Sequence, residues 1–164
     1  MNTLTKFIHA CALLSIISLP AWAMAQDTLL LTMKSMQEIE VTGKNGKKQK
    51  QLVPAAKVVP GSEVIYVITY KNAGDKPADK AVISNAVPKE LIYKGGSASG
   101  KNAKFEVSVD GGASYGALPS LKVVGADGKT RPAQPADVTH LRWSLVGAVA
   151  PGKEGTVSYK ADLK

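Results

Sequence analysis

Cysteine is nearly missing from this chain: 164 residues hold one, Cys11, and it lies in a stretch that reads as an export signal. Lys6 precedes the apolar run Phe7 to Leu19, and Ala23-Met24-Ala25 supplies a small-x-small cleavage site, so residues 1–25 are expected to leave and the mature chain to begin at Gln26. An exported chain without cysteine forms neither a disulfide nor a thiolate metal site. Its apolar core alone must hold it together, which suits a bacterial periplasmic or secreted protein. Cys11 sits inside the apolar stretch with few residues before it and reads as incidental rather than as a lipid attachment point. Histidine is almost as scarce: His9 departs with the signal and leaves His140 as the one imidazole base. Long apolar runs are missing too. The run before Pro20 spans about 13 residues, short of the ~20 that a spanning helix needs, so no transmembrane segment is expected after processing.

What remains after the signal is 139 of the 164 residues, one domain with enough chain for a real core. Losing Lys6 from 21 basic residues leaves 20 against 13 acidic ones, a formal charge of +7. That surface favours anionic partners, namely lipopolysaccharide, peptidoglycan, acidic polysaccharide, extracellular DNA or the acidic face of an envelope protein, and composition does not choose among them; an envelope protein or anionic glycan is expected, with no specific nucleic-acid recognition.

Period-two alternation between Pro and Gly punctuation dominates the mature chain. Ser62 to Lys71 is the clearest strand, with Val64, Tyr66, Ile68 and Tyr70 on one face and Asn72, Gly74 and Pro77 supplying turn chemistry after it. Lys80 to Val87 follows with Ala81, Ile83 and Val87 on a common side, then Leu91 to Tyr93, then a flexible glycine-rich connection through Gly95, Gly96 and Gly100. Phe105, Val107 and Val109 alternate with polar residues up to the turn Asp110-Gly111-Gly112, and Tyr115 begins the return. Leu121 to Val124 is a short strand, and Gly125 to Asp137 reads as a long exposed loop. Leu141, Trp143 and Leu145 alternate next, and Val157, Tyr159, Ala161 and Leu163 share a side of the last strand. In residues 26–55 the Asn45-Gly46 pair predicts a hairpin with Lys44 opposite Lys47 and the apolar residues Ile39 and Leu52 facing each other. With no helical period outside the signal, the expectation is an all-β, immunoglobulin-like antiparallel β-sandwich of seven to nine strands. Residues 56–164 form the sandwich and residues 26–55 an N-terminal strand and hairpin packed on it.

The run PGSEVIYVITYKNAGDKPADKAVISNAVPKEL to YKGGSAS, with FEVSVDGGASY and the ending HLRWSLVGAVAPGKEGTVSYKADL, resembles the bacterial conserved repeat domain of unknown function numbered eleven. The likeness covers roughly residues 56–164. It implies an immunoglobulin-like sandwich of the kind found in surface and secreted proteins, and it implies no reaction and no catalytic residues. This chain departs by carrying a single copy and by placing Asn85 where the family usually has Asp before its Leu-Pro pair.

No catalytic, cofactor or metal site is expected. His140 sits in a strand without a nucleophile motif. The acidic residues are scattered, and Asp110-Gly111-Gly112 and Asp127-Gly128 lack the further carboxylates that calcium needs. The candidate interaction surface is Lys44, Lys47, Lys48 and Lys50 at the hairpin tip together with Ile65 and Val67, which alternation turns away from the core. Either the chain's own Leu29 to Met33, β-propensity alone or a partner accounts for two apolar residues there. The expected function is a non-enzymatic binding or structural domain of the bacterial envelope. The rivals are a periplasmic assembly factor that works by strand addition and a hydrolase built from dispersed carboxylates.

Overall fold

The computed structural model describes residues 29–43 and 46–164; residues 1–28, which include the expected export signal, and Lys44 and Asn45 lie outside the described residues. The strands are β1 (Leu29–Thr42), β2 (Lys48–Pro54), β3 (Glu63–Asn72), β4 (Val82–Ala86), β5 (Leu91–Tyr93), β6 (Ser99–Gly100), β7 (Ala103–Ser108), β8 (Lys122–Val124), β9 (Thr130–Pro132), β10 (His140–Leu145) and β11 (Glu154–Leu163). Every strand pairing is antiparallel. The larger sheet runs β2-β1-β3-β11-β5 with β6 also on β11, the smaller β4-β10-β7, and β8 and β9 form a separate ribbon.

The two sheets pack face to face, so the chain is an all-β antiparallel sandwich. Ile68, Tyr93, Val157, Tyr159 and Ala161 from the larger sheet meet Ile83, Val107, Leu141, Trp143 and Leu145 from the smaller. Alternation produces this core directly: along β10 every second residue, Leu141, Trp143 and Leu145, is buried. Aromatic rings fill its centre. Tyr66 stacks on Tyr159 at 5.0 Å, and Trp143 lies between Phe105 and Tyr159. A buried amide, Asn72, and a half-buried one, Asn85, both have partners. Asn72 Nδ2 donates to the carbonyls of Lys76 and Val149, both at 2.7 Å, and Asn85 Nδ2 donates to the Tyr159 hydroxyl at 2.8 Å. A buried amide that satisfies distant carbonyls costs nothing in lost hydration and ties loop to strand.

Three expectations are corrected. The hairpin pairs Thr42 with Lys48 and Ile39 with Gln51, one residue out of the expected register, so Ile39 and Leu52 fall on opposite faces. The cause is the turn: Gly43 donates to Lys47, and Gly46 takes a positive φ of 72°, the three-residue loop with a left-handed glycine rather than a two-residue turn. The segment 125–137 is not a bare loop, because β9 folds back on β8 around Asp127, whose Oδ1 accepts the Lys129 N–H. The glycine-rich connection contributes β6, and a Cβ on Gly100 would stand 3.0 Å from Val157 Cγ1 and 3.1 Å from Trp143 Cδ1. That glycine is there for close approach rather than slack.

Candidate strand-docking edge

β1 is used twice along its length. Leu29 to Met36 pairs with β3, whereas Met36 to Thr42 pairs with β2 on the opposite edge. The second half therefore leaves the sandwich as a two-stranded arm about 20 Å long, most of it exposed and none of it buried. The first half keeps an open edge. The Ser35 carbonyl accepts the Ala55 N–H at 3.0 Å, and beyond that bond nothing among the described residues pairs with this edge from Leu29 to Lys34. Because successive backbone groups point to alternate edges, the N–H and C=O of Leu31 and Met33 face the same way as those of Ser35, into the opening.

The side chains there are apolar. Leu30, Leu31 and Met33 are 53, 50 and 52% exposed. Leu31 and Met33 stand directly opposite Tyr70 and Ile68 of β3, on the core face, but the three-stranded sheet stops short of β1 and leaves them uncovered. Only Lys34 carries charge between Leu29 and Lys34. The outer edge of β2 differs, since Lys48, Lys50 and Pro54 give it the charges and the missing donor that protect edges. β4, an edge of the smaller sheet, has five residues and one strongly exposed apolar side chain, Val82.

The residues singled out in the sequence are scattered. Lys48 pairs with Glu40 at 3.1 Å and Lys50 with Glu38 at 2.6 Å, so half of the lysine group is neutralised on the arm. Lys47 also has a partner, and Lys44 lies outside the described residues. Ile65 is 8% exposed and is not an outward contact. Its directly opposite neighbours are Met36 and Lys160, and Lys160 runs to Glu63 Oε1 at 2.8 Å with its stem beside the isoleucine. Val67 is half-buried between Lys34 and Ser158. The first strand thus lies beside Ile65 and Val67 in the sheet plane and not over them. Sequence reasoning named Leu29 to Met33 only as a cover. Its four consecutive apolar or β-branched residues, Leu30 to Met33, were the available signal for an edge.

The acidic groups are occupied elsewhere. Glu106 binds Lys104 at 3.0 Å and Arg142 at 2.9 Å, and Asp137 takes both guanidinium nitrogens of Arg131 at 2.6 and 2.8 Å. Glu63 holds Lys160 and Lys94. These cations keep all three carboxyls below the usual range. Asp110 is lower still, through the Ser108 and Ser114 hydroxyls and the Ser114 N–H. It is a turn staple. His140 is half-buried with Nδ1 3.2 Å from the Thr139 hydroxyl. A cleft of about 500 Å³ at the end of the sandwich has Glu154 as its one lining carboxylate. A smaller one against Tyr93 and Phe105 has only the doubly paired Glu106. Among the described residues no three of His, Cys, Asp and Glu converge on one point, and no helix is long and apolar enough to cross a membrane. No family model, curated protein or solved structure matches this chain.

Proposed function

We propose that this chain is an exported, non-enzymatic binding domain of the bacterial cell envelope, and that it binds by accepting a β-strand on the open edge of β1. The observation that carries this reading is the combination, on the edge of Leu29 to Lys34 turned away from β3, of backbone that no described strand pairs with and exposed Leu30, Leu31 and Met33. Strand addition draws affinity from main-chain hydrogen bonds and specificity from alternate side chains, and this edge offers both. The export signal and the single-copy likeness to the conserved repeat family support the envelope setting, and both belong to the proposal. The periplasmic assembly factor falls within the same reading, since it would use the same edge. A glycan held by the lysine-rich arm is less favoured, because Lys48 and Lys50 are already paired with glutamates.

A pull-down from envelope extract with the processed protein and with Met33→Pro tests the reading. Proline removes an edge donor that no described strand uses, so the sandwich is expected to stay intact. Retention of a protein by the wild type and its loss from Met33→Pro is expected. Equal retention by both would overturn docking at this edge.

A further inference from the structure

We propose that the strand filling the open edge of β1 is the β1 of a second copy of this chain, antiparallel to the first about a two-fold axis at Leu31. This rests on the edge-docking reading and names its occupant.

The slot is bounded. Ala55 already occupies the place opposite Ser35, so an incoming strand can pair only from Leu29 to Lys34. The backbone groups aimed into it belong to Leu29, Leu31 and Met33, and in an antiparallel pair such groups must face one another. Leu31 opposite Leu31 of the second copy satisfies this and sets Met33 against Leu29 and Thr32 against Leu30. Sliding two residues further would put Leu29 of the second copy where Ala55 lies. Sliding the other way leaves Met33 opposite no described residue of the second copy. The favoured register gives about six main-chain hydrogen bonds and draws the half-exposed Leu31 and Met33 together with Leu31 and Leu29 of the second copy on one face, while Leu30 meets Thr32 on the other.

Charge agrees with self-pairing. The two Lys34 side chains do not stand opposite each other in this register, and like charges placed directly across a pair would oppose it. Net charge of one sign on both copies still repels at long range. Added salt therefore strengthens this association, whereas it would weaken docking of an acidic foreign strand. One strand pair lies well below the ~1,000 Å² of a stable interface, so the dimer is weak and reversible.

The mature chain, being free of cysteine, makes the register testable. Leu31→Cys and Met33→Cys are compared under mild oxidation, beside sedimentation of the unmodified protein over a range of concentration and salt. The two-fold brings the Leu31 Cα atoms to about 5.5 Å, within disulfide reach, and holds the Met33 Cα atoms about 14 Å apart. Leu31→Cys is expected to crosslink at least about tenfold faster than Met33→Cys, with a concentration-dependent dimer that grows with salt and disappears in Met33→Pro. Equal crosslinking rates, or a monomer under every condition, would overturn self-pairing. A monomer that still retains an envelope protein, released by Met33→Pro, would leave edge docking standing with a foreign occupant. No difference between wild type and Met33→Pro in either assay would remove the edge-docking reading as well.

Discussion

Single residues hold this sandwich at points that local pattern does not mark. Asn72 is fully buried, and its carboxamide ties strand β3 to the Lys76 carbonyl, the Val149 carbonyl and the Gly74 N–H. Asn72→Ala leaves these groups without partners and is expected to cost about 3 kcal/mol, read from the urea midpoint; a loss within error would show that water replaces the amide. Titration acts at the same scale. Glu63, Glu106 and Asp137 have folded-state pKa values below the ordinary ones, so their contribution is present above about pH 4 and is lost as pH falls through the folded values. Burial raises the phenols of Tyr66, Tyr93 and Tyr159. Their neutral forms support the fold below about pH 10, and the support is lost as pH rises beyond it. Urea midpoints should therefore be flat from about pH 5 to 9 and fall on both sides; a midpoint that keeps rising toward acid would contradict these pairings. The inward Trp143, Leu141 and Ile83 were legible, because period two alone assigns their face. Asn72 reads in the sequence as a turn residue, since its partner Val149 lies 77 positions away.

At the scale of elements, turn geometry decides what side-chain pattern leaves open. Asn45-Gly46 announces a hairpin, but the same pair serves a two-residue or a three-residue loop, and the choice moves every cross-strand partner by one. The observed loop turns Ile39 and Leu52 to opposite faces and lets Lys48 and Lys50 reach Glu40 and Glu38. Gly46→Ala strains the left-handed position and should destabilise the arm by about 1 kcal/mol. Because, among the described strands, the arm pairs with the larger sheet through β1, faster amide exchange is expected in residues 37–42 and 48–53 with no change in the core; spread into β3 would show that arm and sandwich unfold together. The ribbon of β8 and β9 was hidden for a related reason. Its strands have three residues each, too short for alternation to register, so the Asp127-Gly128 turn was read as loop punctuation.

For the whole molecule, the unequal sheets matter most. Strands β10 and β11 and the face of Val64, Tyr66, Ile68 and Tyr70 were readable because buried alternation is strong there, and they specify a sandwich. The relative widths of the two sheets follow from long-range pairing, which alternation does not encode. A three-stranded layer facing a wider one leaves the inward side of Leu31 and Met33 open, beside an edge that no described strand pairs with. The central claim is that this edge is free in the isolated chain and closes when a strand docks. Residue-resolved amide exchange on dilute processed protein tests it most directly. Leu31 and Met33 should exchange rapidly, whereas Thr32 and Lys34, bonded to β3, should be protected, and the two fast amides should gain protection as docking proceeds. Protection of all four in the dilute protein would contradict the account, because another part of the chain would then already occupy the edge.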